Sequence, residues 1–408
     1  MDGCFCRLII RIYGENCDPP ESFSVNDILT SLSDTFYDRF AQKTLLFFVE
    51  NGWDDDYGGL FEVLKSNGES KAIPFRRVMV HARQLFVFSR WAKLTGNNKF
   101  SAKADKIFEF MISAFWDFEN GGWFSKLNLD GSVQNQTKDL YAHAFVLFGL
   151  ANYKNSLDRK TAHDWIDKTL TIIERQFSRK DGSFCQDLSG DFVDLSPQIR
   201  SQNPHMHLLE AALYLLENDK QNSRYLTLVN RLLNLFESKI LDSENKLIRE
   251  YLDQSFKPKL VNSFIIEPGH HYEWAWLLNW SDKIHKSKKY STLTKTLFDT
   301  GWRLGWDFNN GGVFDEFDCE NKQVFLSTKR LWPLLELIKV LSVLPSNSHG
   351  DDLTSALTIV LERYIQPNGT WVERFDQNWC AVDTTMPTSS IYHMAMTISV
   401  LEARKTKK

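Results

Sequence analysis

The stretch EPGHHYEWAW, residues 267–276, sets two adjacent histidines between two glutamates, directly before a Trp-rich apolar segment. An imidazole titrates near neutrality, so a pair of them can take and return protons at working pH. His270 and Glu273 are three residues apart and share a face if the segment is helical, whereas His271 points elsewhere and reads as structural. A metal reading is weak. No HExxH occurs, and His205 and His207 are separated by one residue, which splays them on a helix. No GxGxxG or GxxxxGK[ST] loop is present to cradle a phosphate. The expectation is chemistry without metal or cofactor.

Six short segments recur along the chain near Gly58, Gly121, Gly182, Lys246, Gly311 and Gly369, at spacings of 63, 61, 64, 65 and 58 residues. Most carry an Asn/Asp-Gly turn followed by a short alternating run, the signature of a small β-hairpin. Between them lie two kinds of helical pattern. Segments near 35–51, 99–115, 160–177, 222–240, 285–304 and 350–365 are amphipathic, as in HDWIDKTLTIIERQF. Those beginning near 80, 139, 204, 268, 329 and 389 are apolar nearly all round, as in LYAHAFVLFGLANY, and must be buried on all sides. Six outer–inner pairs describe an all-α, closed (α/α)6 barrel over residues 30–405, with short β-hairpin loops at its mouth and an N-terminal arm over 1–29. A linear helix-pair solenoid is the competing geometry.

The polar residues interrupting the inner helices cluster in their first turns. They are Arg83, Asp139, Tyr141, His143, His205, His207, His270, His271, Glu273, Trp332, Glu336, Tyr392 and His393. If the inner helices run the same way, these converge on one barrel mouth, and an aromatic-lined pocket with convergent His and Glu is the default active site. A lone histidine on an apolar helix is ordinarily a satisfied core residue, but six of the ten fall at matching positions in different repeats. Trp123, Trp274 and Trp332 are candidates to stack on a sugar ring.

The chain has 408 residues, formal charge −4 and no long run of like charge, so it lacks the footprint of a nucleic-acid or anionic-membrane binder. Its six cysteines include no CxxC and read as reduced thiols of a cytoplasmic protein. The apolar stretch near the N-terminus is short and broken by Arg7 and Arg11, which excludes a signal peptide or membrane span as the expectation. Monomer and homodimer both remain open.

SQNPHMHLLEA, EPGHHYEWAWLL, STKRLWPLLE and DTTMPTSSIYH, with HARQLFVF and NQTKDLYAHAF, occur in the order seen in the N-acylglucosamine 2-epimerase superfamily, and the chain resembles that family from about residue 50 to its end. The form of EPGHHYEWAWLL and TKRLWP is most similar to the mannose isomerase branch. The resemblance implies an (α/α)6 barrel and a sugar substrate. It places the family's proton-moving and sugar-holding residues on His270, Glu273, His393, His207 and Arg83, with Met79 standing where members often carry an aromatic.

The implied reaction opens the sugar ring and moves a proton from C2 through a cis-enediol. His270 and His393 would shuttle protons, Arg83 with His207 would stabilise the enediolate oxygens, and Glu273 would orient His270. Tyr141, Asn203, Glu336 and Asp139 are expected to bind sugar hydroxyls, and Trp332 to pack on the ring. An unphosphorylated aldose–ketose pair, D-mannose and D-fructose, is the first expectation. A 2-epimerase acting on mannose, N-acylglucosamine or cellobiose is the nearest rival. A glycoside hydrolase using Glu273, Glu336 and Asp383, or a sugar-binding protein without turnover, belongs to a different class.

Overall fold

A computed structural model describes residues 25–195, 199–258, 262–345 and 349–405. The first 24 residues, with Cys4, Cys6 and Cys17 and most of the expected arm, lie outside this set. The first described helix starts at Val25, five residues before the expected domain boundary.

Among the described residues twelve helices alternate between two roles. The outer ones are α1 (Val25–Arg39, continued through Phe40–Thr44 and Leu45–Asn51), α3 (Asn98–Phe110), α5 (Ala162–Arg175), α7 (Ser223–Leu235), α9 (Ser291–Gly305) and α11 (Gly350–Ile359). The inner ones are α2 (Val78–Thr95), α4 (Leu140–Leu157), α6 (Asn203–Asn218), α8 (Pro268–His285), α10 (Leu331–Val343) and α12 (Ile391–Lys405). Each inner helix packs on the next, and α12 returns to α2, so the ring is closed and the solenoid geometry is excluded. The apolar-all-round sequences bury their whole circumference in this ring. The amphipathic ones bury one stripe against it. Inner helices approach closely where side chains permit: a Cβ on Gly149 of α4 would sit 2.5 Å from the Ala82 carbonyl oxygen of α2.

The hairpins do more than was expected of them. The two-residue strand before each inner helix pairs antiparallel with the hairpin of the following repeat: Arg76–Arg77 with Lys126–Leu127, Lys138–Asp139 with Asp187–Leu188, and Arg200–Ser201 with Tyr251–Leu252. Ile265–Ile266 pairs with Glu316–Asp318, and Lys329–Arg330 with Arg374–Phe375. Met386–Pro387, before the last inner helix, closes the circle on Val63–Leu64 of the first repeat. All six inner-helix N-termini are thereby held at one end of the barrel, each stitched to its neighbour. Buried ion pairs reinforce three of these positions: Arg76–Asp54 at 2.5 Å, Lys138–Asp117 at 2.6 Å and Lys329–Asp307 at 2.8 Å.

Among the described residues no helix is long and apolar enough to cross a membrane, and Cys185, Cys319 and Cys380 are unpaired thiols.

Candidate active site

The histidines divide into two sets. His81, His143 and His271 act as latches for the hairpins. Their Nδ1 atoms face the carbonyl four residues back, of Arg77 at 2.9 Å, Asp139 at 2.7 Å and Glu267 at 3.5 Å. Their Nε2 atoms accept a backbone N–H from the hairpin, of Leu60 at 2.8 Å, Trp123 at 3.1 Å and Ile248 at 3.1 Å. His205 faces the equivalent groups of Ser201 and Phe184 without reaching hydrogen-bond geometry. Burial drives His81, His143 and His205 down to a pKa of about 3 and His271 to about 4, so all four are neutral packing elements. The repeated positions that made His143, His205 and His271 look functional are thus a device for fastening loops.

His207, His270 and His393 form the second set, and each is held through Nδ1 by a carboxylate. His207 pairs with Glu210 at 3.1 Å, His270 with Glu250 at 2.8 Å and His393 with Glu336 at 2.8 Å. A carboxylate on Nδ1 fixes the ring and directs Nε2 away from it, the orientation a proton shuttle needs. The Trp332 ring lies between two of them, 4.9 Å from His270 and 5.7 Å from His393. Gly269 makes this placement possible, since a Cβ there would lie 2.5 Å from the Trp332 ring. Arg83 donates to the Tyr141 hydroxyl at 2.7 Å and to the Ser389 carbonyl at 3.3 Å, and its guanidinium rests 4.1 Å from the Phe145 ring centroid and 4.9 Å from that of Tyr392. Phe145 also packs 4.4 Å from His207, which brings Arg83, Tyr141 and His207 to one wall.

The two histidines flanking Trp332 differ electrostatically. Burial alone would lower His270, but Glu250, its hydrogen bond and the nearby Glu267 and Glu273 raise it to about 9. Burial lowers His393 to about 4; Glu336 opposes this, while Arg83 and Lys339 add to it. At neutral pH His270 is an imidazolium and His393 a neutral imidazole. His207 is also neutral, lowered by burial to about 4 despite Glu210.

Beneath these rings lies a charge cluster that only partly matched expectation. Lys339 is fully buried, 2.5 Å from Glu336 Oε2 without hydrogen-bond alignment, and 4.1 Å from the Trp276 ring centroid. Burial opposes its charge, but Glu336, Glu273 and Glu210 raise its pKa. Burial and the charges of Glu336 and Glu210 push Glu273 well above the carboxylate range, with Lys339 opposing. The Tyr392 hydroxyl donates to Glu210 and completes the cluster.

Several expectations are corrected by this geometry. Glu273 does not orient His270; Glu250, from the hairpin of the same repeat, takes that position, while Glu273 Oε1 lies 3.8 Å from His207 Nδ1. Glu336 is fully buried and holds His393 and Lys339, so it is not placed to bind sugar hydroxyls. Asp139 caps α4 by accepting from the Ala142 N–H at 3.1 Å; burial and then Asp187 raise its pKa to about 6. Asn203 starts α6 with its Oδ1 buried and unpartnered. Trp123 and Trp274 are fully buried, donating to Thr169 and Gln202, which leaves Trp332, only partly buried, as the candidate stacking ring. Met79, where the resemblance suggested an aromatic contact, is buried in α2.

Glu210, Glu250 and Lys339 were missed. Glu210 was legible, since it sits three residues after His207, the spacing already applied to His270 and Glu273. Glu250 had a fainter signal in the repeat. Glu62, Gln186 and Asp315 occupy matching hairpin positions and accept the backbone N–H of Arg77, Ser201 and Arg330, as Glu250 does that of Glu267. Lys339 carries no sequence signal beyond a lysine in an apolar helix.

Among the described residues two trios place ligand atoms within 4.8 Å of one another: His207, Glu210 and Glu273, and Glu250, Glu267 and His270. Each already has a cation beside it. Lys339 serves the first trio. The second contains the imidazolium of His270 and is joined by Arg330, 2.7 Å from Glu267.

Comparison with known proteins bears on the family and the fold. The family model for N-acylglucosamine 2-epimerase (GlcNAc 2-epimerase) matches residues 45–397. A mannose-6-phosphate isomerase of Rhizobium meliloti is 26% identical over 86% of this chain and 92% of its own. A D-mannose isomerase of Marinomonas mediterranea is 28% identical over 69% and 73%. In structure, a D-mannose isomerase superposes with a TM-score of 0.82, covering 91% of this chain and 98% of its own at 22% identity, a likeness of fold. With a matched model spanning most of its length and a closed barrel of the same form, this chain belongs to the N-acylglucosamine 2-epimerase family.

Proposed function

We propose that the protein interconverts an unphosphorylated aldose and ketose, D-mannose and D-fructose, by proton transfer through a cis-enediol. The observation that carries this reading is the pair of histidines flanking Trp332, one charged and one neutral at the same pH. Two titratable groups pushed apart by their surroundings divide into acid and base. His270, with Glu250 on Nδ1, gives its Nε2 proton to the ring oxygen and takes the O1 hydroxyl proton in return as the pyranose opens. His393, with Glu336 accepting from Nδ1–H, leaves a lone pair on Nε2 for the C2 proton. Glu336 then stabilises the imidazolium that forms. As the enediol forms His270 gives a proton to O1; it then takes the O2 proton while His393 returns a proton, exchanged in part with solvent, to C1, which leaves the ketose and both histidines as they began.

Arg83 and the Tyr141 hydroxyl it engages face the same wall as His207 and stabilise negative charge on the enediolate oxygens. Trp332 provides the flat apolar surface on which the sugar's C–H face packs. Arg77 and Arg330 already carry carboxylate partners, Glu62 at 2.6 Å and Asp315 at 2.8 Å, which favours a neutral sugar over a sugar phosphate. A hydrolase would need two carboxylates free to flank a glycosidic bond. Glu336 and Glu273 are instead sealed beneath the histidines, and Asp383 Oδ1 accepts from Thr385.

The test is NMR of the purified protein with D-mannose, D-fructose, D-mannose 6-phosphate, N-acetylglucosamine and cellobiose. Fructose from mannose supports the reading. Glucose from mannose, or turnover confined to another sugar of the panel, replaces it with an epimerase or a different substrate.

A further inference from the structure

The two histidines that flank Trp332 differ in a way their nearest contacts do not explain. Each meets a buried carboxylate through Nδ1 at 2.8 Å, Glu250 for His270 and Glu336 for His393. Both rings are buried, so both lose the solvation that favours the charged form. A carboxylate on Nδ1 should raise both, yet His270 stands at about 9 and His393 at about 4. The difference lies behind the carboxylates.

Behind Glu250 stands a neutral group, the Gln202 amide, which donates to its other oxygen at 3.2 Å. Glu267 adds further negative charge beside His270. Behind Glu336 stands Lys339, its Nζ 2.5 Å from Oε2, while Oε1 holds His393 Nδ1. One carboxylate thus lies between an ammonium and an imidazole. Its negative charge is divided between them, and the ammonium resists a second proton arriving on the ring. Lys339 is fully buried with the Trp276 ring centroid 4.1 Å from Nζ, a low-dielectric setting in which its charge is weakly screened.

The other groups around this pair do not reverse the effect. Arg83 of α2 acts on His393 in the same direction as Lys339. His207 of α6 is neutral, and His270 of α8 lies beyond the Trp332 ring. Tyr392, next to His393 on α12, gives its hydroxyl proton to Glu210. Burial opposes the charge on Lys339, but Glu336, Glu273 of α8 and Glu210 of α6 hold its proton in place.

We propose that Lys339 is a positioning residue of this site: by gripping Glu336 from behind, it keeps His393 free of a proton and so fits it to act as the base. The hold of Lys339 on His393 stands by itself; its consequence for turnover rests on the proposed role of His393.

NMR of the protein labelled with 15N in its histidine rings, without sugar, reads the hold directly. His393 is assigned by the signals that vanish in His393→Gln. In the native protein it should titrate with a midpoint of about 4. In Lys339→Met the midpoint should rise by at least about one pH unit. The acidic limb of kcat/KM should rise with it, so that activity lost in acid is regained toward neutrality. A lysine needed only for packing would lower activity evenly across the pH range. Lys339→Met combined with Glu273→Gln, compared with Glu273→Gln alone, gives the same reading if the single variant does not fold, because fewer carboxylates are left without a cation. An unchanged midpoint in a folded variant overturns the hold, as does a native His393 that titrates at the ordinary value of about 6.5. A midpoint that rises while the acidic limb stays in place overturns the assignment of His393 as the base and leaves the hold standing.

Discussion

Replacing Glu250 by glutamine removes a negative charge 2.8 Å from His270 Nδ1 while keeping size and one acceptor oxygen. A hydrogen bond to a buried charged group is worth about 1.5–3 kcal/mol and one pKa unit about 1.4 kcal/mol, so His270 should fall by about one to two units. Its pKa, raised to about 9 in the native enzyme, would then lie near 7 to 8, an order-of-magnitude figure. In the proposed mechanism His270 is the acid and must be protonated, so the alkaline limb of kcat/KM against pH should move down by the same interval. The acidic limb, assigned by the same proposal to His393, should stay in place. The substitution also disturbs a chain. Glu250 Oε2 accepts from Gln202 Nε2 at 3.2 Å, and Gln202 Oε1 accepts from Trp274 at 2.7 Å. A glutamine amide facing Gln202 opposes donor to donor, and flipping Gln202 strands Trp274, so stability should fall by about 1–3 kcal/mol. Glu273→Gln is the comparison and should move the alkaline limb less than Glu250→Gln does, because Glu273 is the smallest of the charges that raise His270. An unmoved limb in Glu250→Gln with a shifted one in Glu273→Gln would refute the assignment and return the orienting role to Glu273.

Lys339→Met leaves Glu210, Glu273 and Glu336 buried without their cation and should cost about 3–5 kcal/mol in urea unfolding, with part recovered by adding Glu273→Gln. His143→Ala removes a latch rather than a proton shuttle; it should cost about 1–3 kcal/mol and speed hydrogen exchange at the Trp123 amide, with kcat within about threefold of native. The buried neutral histidines have folded pKa values of about 3 to 4, below the unfolded value, so the unfolded chain binds more protons on acidification. Their stabilisation is present above pH about 6.5 and should be lost as pH falls toward 3 to 4, visible as a falling melting temperature below pH about 6. His270 behaves oppositely: its contribution is present below pH about 6.5 and lost as pH rises through about 9. Prolonged chelation should leave turnover unchanged, because Lys339, His270 and Arg330 already supply the positive charge that a metal would bring to the two carboxylate–histidine trios.

The barrel was legible because its signals are periodic. Apolar-all-round and amphipathic helices alternate six times, and the Gly turns space them evenly, so closure needed only counting. What the pattern could not convey was pairing across repeats. The strand Met386–Pro387 meets Val63–Leu64 more than 300 residues away, and two-residue strands carry no period of their own. The same limit shaped the reading of the site. Helix spacing brought His207, His270 and His393 forward but assigned partners within a helix. Applied to His207 that spacing would have found Glu210, but it fails for His270, whose carboxylate arrives from a hairpin, and for His393, whose carboxylate belongs to the neighbouring helix. Lys339 was invisible because burying a lysine is costly unless carboxylates surround it, and those come from three different helices.

The central claim is that His393 takes the C2 proton of an open-chain aldose while His270 supplies protons to oxygen. Its most direct test is incubation of D-mannose with native enzyme and with His393→Gln in deuterated water, followed by NMR of the sugars. The account predicts fructose carrying deuterium at C1 with the native enzyme. It predicts neither fructose nor exchange with the variant, which should still bind the sugar. Fructose free of deuterium, or a variant that exchanges and isomerises at the native rate, would contradict it.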